Sequence, residues 1–252
     1  MSREALSSPW RLWLALGAAL FGLNLALSFH NVWPTLWVTT RHELSVEAAA
    51  LVLLMALYAE WRQPPSQRVI TWLALGLTIL ALGRYAEVTA PALYGRRINL
   101  YWDAQHLPRV AAMLAEVAPA WLMVLVLSGV VALVAGVFLA LRWMLASTAA
   151  ALAVPLPRRA VLGLTAALVA LFAAGHLSSR VHTLRWVSLP VTLTYAQQIH
   201  FLRQVFAAGE ASPVVDAPPL TASNLERLAG ADVILLFFES DGATNFDRPE
   251  YA

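Results

Sequence analysis

The sequence predicts a mostly α-helical protein with a five-helix transmembrane bundle, followed by an extracytoplasmic juxtamembrane helix and the first strand of a truncated α/β domain. Hydrophobic residues make up 60% of the chain and charged residues only 13%, against about 25% charged in soluble domains. The apolar residues occur in blocks, which is typical of membrane helices. A short apolar run near the C-terminus predicts the strand.

Five apolar segments predict membrane spans, for which a helix needs roughly 20 residues. The fourth is the clearest, because no charged residue lies between Glu116 and Arg142. The second is the weakest, because Glu47 and Glu60 must both lie at the membrane interfaces. The predicted spans are 10–29, 44–61, 69–88, 118–141 and 160–177, so that residues 1–178 form the transmembrane domain.

Arginines in short loops predict the orientation, since cytoplasmic loops are enriched in positive charge. Three groups of arginines fall on one side of the membrane. They are the arginines before the first span, those in the loop WRQPPSQR between the second and third spans, and those between the fourth and fifth spans. The arginines assigned to this cytoplasmic side are Arg3, Arg11, Arg62, Arg68, Arg142, Arg158 and Arg159. The N-terminus is therefore predicted to be cytoplasmic, and everything after about His176 is predicted to be periplasmic or extracellular.

The overall composition excludes several classes of function. The formal net charge is only +2, so no basic surface for nucleic acid is expected. The chain has no cysteine, which excludes disulfides, thiol chemistry and cysteine-based metal sites.

Arg84 and Glu87 lie near the outer end of the third span, and their spacing places them on one helix face. In one interpretation, Arg84 is a structural residue that extends toward the interface beside an acid. In the other, it binds a lipid phosphate, whose geometry the guanidinium fork matches. No span is predicted to contain a well-buried charge pair and no repeat is visible, which argues against a transporter.

The loop between the third and fourth spans, GRRINLYWDAQHLPRV at 95–110, combines cationic and aromatic residues. Pro108 predicts the start of a helix along the membrane surface. Two interpretations are open: the loop holds an anionic headgroup, or it is a packed interfacial loop with ion pairs such as Arg97 with Asp103. With Arg84 included, the headgroup candidates are Arg84, Arg96, Arg97, His106 and Arg109.

Residues 179–230 are predicted to form the juxtamembrane helix and a linker. Apolar residues between Tyr195 and Phe206 recur at roughly helical spacing with polar residues between them, which predicts an amphipathic helix. A Pro-rich linker follows at 211–220. The histidines of this region have no tight ligand spacing, so interfacial roles are favoured over metal binding; they are His176, His182 and His200.

Residues 231–252, ADVILLFFESDGATNFDRPEYA, contain the predicted strand. The run VILLFF is too short to span a membrane and is apolar on both faces, which favours a strand buried in a mostly parallel sheet. Glu239 follows it directly, at the strand end where ligands gather in open α/β sheets. A carboxylate at this position is suited to bind a divalent cation or to act as a base.

This C-terminal segment resembles the opening of the catalytic domain in membrane-bound members of the alkaline phosphatase and sulfatase superfamily, such as lipoteichoic acid synthases and lipid A phosphoethanolamine transferases. The loop GRRINLYWDAQHLP resembles the sulfatase-like branch, and the order of five spans, outer helical linker and α/β domain is similar. The resemblance implies an alkaline-phosphatase-like domain in which Glu239 ligates zinc or manganese. The family's Thr nucleophile and later Asp-His pair are expected beyond Ala252, and Asp241 departs from the family pattern.

The first functional hypothesis is therefore the membrane anchor and N-terminal part of a metal-dependent sulfatase-like or phosphotransferase-like enzyme, a fragment that is inactive by itself. It implies an enzyme acting on phosphate or sulfate esters of lipid-linked or envelope substrates, at the outer face of the bacterial inner (cytoplasmic) membrane. The second hypothesis is a non-catalytic lipid-binding scaffold or subunit. The expected partners are membrane lipids and a lipid-linked donor, with no nucleic acid.

Overall fold

The computed structural model describes residues 9–177 and 186–207, which are mostly helical. The helices and strands within these residues are, in chain order, α1 (Pro9–Ser28), β1 (His30–Asn31), β2 (Val38–Thr39), α2 (Val46–Trp61), α3 (Gln67–Tyr94), α4 (Leu100–Ala104), α5 (Leu107–Val117), α6 (Ala120–Leu152), α7 (Pro155–Leu177) and α8 (Val191–Ala207).

Four of these helices are long and apolar enough to cross a membrane: α1, α3, α6 and the part of α7 up to Gly175. They coincide with the first, third, fourth and fifth predicted spans. The second predicted span corresponds to α2, which has 16 residues and a length of about 24 Å, whereas the hydrocarbon core is about 30 Å thick. The structure therefore confirms a membrane-type helical bundle and four candidate spans.

The connection between α6 and α7 differs from the prediction, which ended the fourth span at Leu141 and placed Arg142 in a loop. α6 continues to Leu152, and only residues 153–154 separate it from α7. Two properties of the sequence explain the longer helix. The stretch 145–152, LASTAAAL, is rich in strong helix formers, and Pro155 disfavours helical geometry in the residue before it.

The buried core lies where α1, α2, α3, α6 and α7 pack together. The closest pairs are α2 with α7, α1 with α6 and α3 with α6. Small residues allow this close approach: Ala56 and Ala74 are fully buried, and a Cβ on Gly22 would stand 2.5 Å from the end of the Met144 side chain. Packing, more than burial from water, thus holds the helices together.

One end of the bundle carries the antiparallel hairpin of β1 and β2, in which His30 pairs with Thr39 and Asn31 with Val38. The Trp33–Pro34 peptide bond between the strands is cis. α1 ends and α2 begins beside this hairpin. We call this the hairpin end, and we call the end with the α2–α3 and α6–α7 connections the opposite end.

Two predicted helices outside the bundle are present. The amphipathic pattern from Tyr195 to Phe206 lies within α8, and Pro108 lies in the first turn of α5. The predicted strand, the linker at 211–220 and Glu239 lie outside the described residues.

We expect Leu145→Ala to lower the free energy of unfolding by about 2–5 kcal/mol, because the change leaves a cavity in a packed interior. Leu145 is 0% exposed, whereas Leu125 on the same helix is 59% exposed. Leu125→Ala is therefore the matched control and should change stability little. Unfolding in detergent measures both variants; equal losses of stability would contradict the assignment of this core.

Candidate functional site

The hairpin end is organised around the guanidinium of Arg84, which is only 3% exposed. Its Nε donates to the carbonyl oxygen of Phe29 at 2.9 Å, and its Nη1 donates to Oε2 of Glu87 at 3.4 Å. Its Nη2 lies 3.2 Å from Nε2 of His30. Arg84 and Glu87 thus form an ion pair within α3 in which the arginine is buried and the glutamate is partly exposed.

His30 stands between Arg84 and a second acid, Glu43. Its Nε2 lies 2.8 Å from Oε2 of Glu43. A guanidinium can only donate and a carboxylate can only accept, so the single Nε2 atom makes a hydrogen bond to one of them at a time. The shorter contact favours an Nε2–H group that donates to Glu43. The hairpin is thereby tied to the segment that leads into α2.

α8 is attached to this network by two carboxylates. Glu87 uses its other oxygen, Oε1, to accept a hydrogen bond from Oγ1 of Thr194 at 2.8 Å. Glu47, in the first turn of α2, accepts from the backbone N–H of Thr192 at 2.6 Å. The second contact places a negative charge at the N-terminus of α8, where it interacts favourably with the helix dipole.

The apolar side of α8 packs on α3 around Gly83. A Cβ on Gly83 would lie 2.5 Å from the ring of Tyr195, so only glycine leaves room for this ring. The Tyr195 hydroxyl donates to the carbonyl oxygen of Ile79 at 2.9 Å, and burial raises the pKa of the phenol. Gln198 adds a reciprocal pair of bonds to the backbone of Ile98 and Leu100. α8 is thus fixed by both polar contacts and ring packing.

A cleft of about 100 Å³ remains between α3, α8 and the loop after α3. Its walls include Gly83, Ala86 and Val191, and its polar residues include Glu87, Arg97 and Gln198. Arg97 is exposed and has no carboxylate within ion-pair distance among the described residues. The cleft therefore presents one unpaired cation next to an apolar wall.

A larger cavity of about 340 Å³ lies between the end of α3 and α5, and Tyr94, Arg96, His106 and Leu107 line it. Arg96 is the residue that pairs with Asp103, at 2.6 Å and 3.2 Å, instead of the predicted Arg97. Because Arg96 donates these hydrogen bonds, the pKa of Asp103 lies below its usual value.

α5 has an apolar stripe without a partner among the described residues. Leu107, Val110, Leu114 and Val117 recur at helical spacing, and each is 45% exposed or more. The helix buries none of its residues, and Arg109 lies between the first two residues of the stripe. An exposed amphipathic helix of this kind is typical of a segment lying in the membrane interface.

The predicted headgroup residues therefore fall into different environments. Arg84 is buried, its Nε and Nη1 donate to protein oxygens and its Nη2 lies against His30, so we assign it a structural role. Arg96 is partly committed to Asp103, whereas Arg97, His106 and Arg109 are exposed. Glu239 lies outside the described residues. The contacts of His30 with Arg84 and of Thr194 with Glu87 could not be predicted from sequence patterns, because the partners lie 54 and 107 positions apart.

The described residues contain no group of three or more histidine, aspartate or glutamate side chains placed to hold a metal ion. Comparisons with protein-family models, with curated protein sequences and with solved structures find no significant match to this chain.

We expect Gly83→Leu to detach α8 from α3, because the added side chain would occupy the position of the Tyr195 ring. Hydrogen–deuterium exchange of the amides of α8 should become faster. Gly76→Leu is the matched control, since a Cβ at Gly76 meets nothing within 4 Å and the residue lies on the same helix. Unchanged exchange in Gly83→Leu would contradict the docking of α8 on α3.

Proposed function

We propose that this chain is the membrane anchor and N-terminal part of a metal-dependent enzyme that acts on phosphate or sulfate esters at the outer face of the cytoplasmic membrane. The proposal starts from the motif VILLFFES and its Glu239. The structural observation that supports it most is the attachment of α8. α8 precedes this motif in the sequence, and a docked helix fits the proposed order of spans, outer helical linker and catalytic domain.

We propose that α2 is a fifth span, which places the hairpin end outside the cytoplasm. α2 packs along α7, and Glu47 and Glu60 near its two ends suit the two interfaces. Glu60 forms an ion pair with Arg158 at the opposite end. The short length of α2 is accommodated by local thinning of the bilayer and by flanking side chains that reach the interfaces. The arginines in or next to the short connections at the opposite end then lie on the cytoplasmic side, where positive charge in short loops is preferred; they are Arg62, Arg68, Arg158 and Arg159.

In this proposal Glu239 supplies one ligand to a zinc or manganese ion, and the ion would supply a Lewis acid for the ester. A catalytic metal normally needs three protein ligands or more, and one carboxylate does not meet this requirement. We therefore assign neither the nucleophile nor the remaining ligands to residues of this chain.

The exposed cations of the loop after α3 are proposed to hold the headgroup of a lipid-linked donor. His106 lines a cavity together with Leu107 and Val110 of the exposed apolar stripe of α5, and Arg109 belongs to the same helix. A bilayer that covers this stripe brings anionic headgroups close to both residues, and Arg97 lies in the loop that leads into this region. Arginine suits this role because its planar fork matches a phosphate group.

The headgroup proposal predicts that the double variant Arg97→Gln and Arg109→Gln weakens lipid capture at 94–110 about tenfold, as expected when a charge-assisted hydrogen bond is lost. Phosphatidylglycerol with a photoreactive headgroup, in nanodiscs, measures this by crosslinking and peptide mapping. Arg203→Gln on α8 is the control, since Arg203 is also exposed. Equal crosslinking in the double variant would remove these residues from the proposed site.

The metal proposal predicts that Glu239→Ala removes bound zinc or manganese from the protein expressed from its whole native gene and purified from membranes. Loss of hydrolysis of a chromogenic phosphate or sulfate ester should accompany it. Glu250→Ala, a nearby carboxylate without a proposed role, should keep both properties. If Glu239→Ala retains its metal and its turnover, the assignment of Glu239 is wrong.

A non-catalytic lipid-binding scaffold is the second candidate, and it is favoured by the exposed cations beside α5, which need no catalytic domain to bind lipid. The two experiments separate the candidates. Lipid capture at 94–110 together with a native-gene protein that binds no metal and hydrolyses neither ester would favour the scaffold.

A further inference from the structure

A second cleft, of about 420 Å³, opens at the opposite end of the bundle between α1, α3 and α6. Its position follows from its lining, because Leu12 lies in the first turn of α1 and Gln67 is the first residue of α3. Its volume falls within the range of about 300–1,000 Å³ that is common for ligand pockets. The residues that line it are Leu12, Ala15, Gln67, Leu139, Arg142, Trp143, Ala146, Ser147 and Ala150.

Arg142 differs from the other arginines that are at least partly buried because it has no carboxylate partner within the described segments. Among the arginines that the structure describes, Arg84, Arg142 and Arg158 are the ones that are not exposed. Arg84 pairs with Glu87, and Arg158 pairs with Glu60. Arg142 has no carboxylate within ion-pair distance in the described part of the chain, so its charge is not neutralised there.

Two neutral groups hold the Arg142 guanidinium in a fixed position. Its Nε donates to Oγ1 of Thr71 at 3.2 Å, and its Nη2 donates to Oε1 of Gln67 at 3.4 Å. Nη1 has no hydrogen-bond partner in residues 9–177 and 186–207. A partly buried cation without an anion is costly in a membrane protein. The presence of Arg142 on α6, with its guanidinium in this orientation, is explained if a bound ligand supplies the negative charge.

The walls of the cleft suit the upper part of a phospholipid. Leu12, Leu139 and Trp143 provide apolar surface, and Trp143 is 46% exposed, as expected of an indole at a membrane interface. Ala146 and Ala150 lie one helical turn apart on α6 and leave space for a ligand. Ser147 adds a hydroxyl group near the cation.

We propose that the Arg142 cleft binds the phosphate group of an anionic phospholipid from the leaflet at the opposite end of the bundle. The guanidinium pairs with the phosphate, and the apolar walls contact the glycerol and the first methylene groups of the acyl chains. This inference does not rest on the proposed enzyme, because it involves neither Glu239 nor the loop at 94–110.

The test is photo-crosslinking of phosphatidylglycerol with a photoreactive headgroup to the full chain in nanodiscs, with peptides mapped by mass spectrometry. We expect crosslinks to residues 139–150, and Arg142→Gln should reduce them about tenfold while leaving those at 94–110 unchanged. Arg68→Gln, an exposed arginine near the start of α3, should have no effect. Equal crosslinking of 139–150 in Arg142→Gln, or equal labelling by a phosphatidylcholine probe, would overturn the proposal.

A second variant keeps the proposal testable if Arg142→Gln does not fold. Ala150→Phe fills the cleft from the exposed side of α6 without changing any charge, and it should also abolish the crosslinks at 139–150. Millimolar inorganic phosphate should not compete with the lipid. If phosphate alone removes these crosslinks, the cleft is a site for a soluble anion and the lipid assignment is wrong.

Discussion

The arrangement of the hairpin end depends on the need to satisfy one buried cation. An uncompensated ion in a low-dielectric interior costs several kcal/mol, so Arg84 can occupy α3 only where other groups surround it. The carbonyl of Phe29 is free to accept from it because α1 has just ended at Ser28, and a helix end leaves carbonyls without intrahelical partners. The contact between Arg84 and Phe29 thus fixes the end of α1 against α3, and the hairpin begins directly after Phe29.

Glu87 connects the buried Arg84 to α8. One of its oxygens accepts from Arg84 and the other from Thr194, so the bundle core and the juxtamembrane helix share one carboxylate. A parallel β-bridge between Leu44 and Val187 adds a further link, just before α2 and α8 begin. The docking of α8 is therefore coupled to the integrity of the bundle, which distinguishes it from a helix that only rests on the lipid surface.

The sequence predicts the helices far better than their contacts. Blocks of apolar residues predicted both ends of α1 to within one residue, whereas α3 extends six residues past its predicted end and α7 begins five residues before its predicted start. Arg142 was mistaken for a helix boundary because its partners, Thr71 and Gln67, lie 71 and 75 positions away in the chain. Asp103 was paired with the wrong arginine because Arg96 and Arg97 are adjacent, and sequence spacing does not tell which of two neighbours faces an acid in a loop.

The arginines differ in function according to what neutralises them. Arg84, Arg96 and Arg158 are paired with carboxylates and have little capacity left for a ligand. Arg142 is oriented by neutral acceptors, which fix the position of its guanidinium but do not neutralise its charge. Since the field of an uncompensated cation is strongest where water is excluded, an anionic headgroup gains more at Arg142 than at a fully exposed side chain such as Arg68. This difference in neutralisation, and not the number of arginines, makes the opposite end of the bundle a specific place for an anionic lipid.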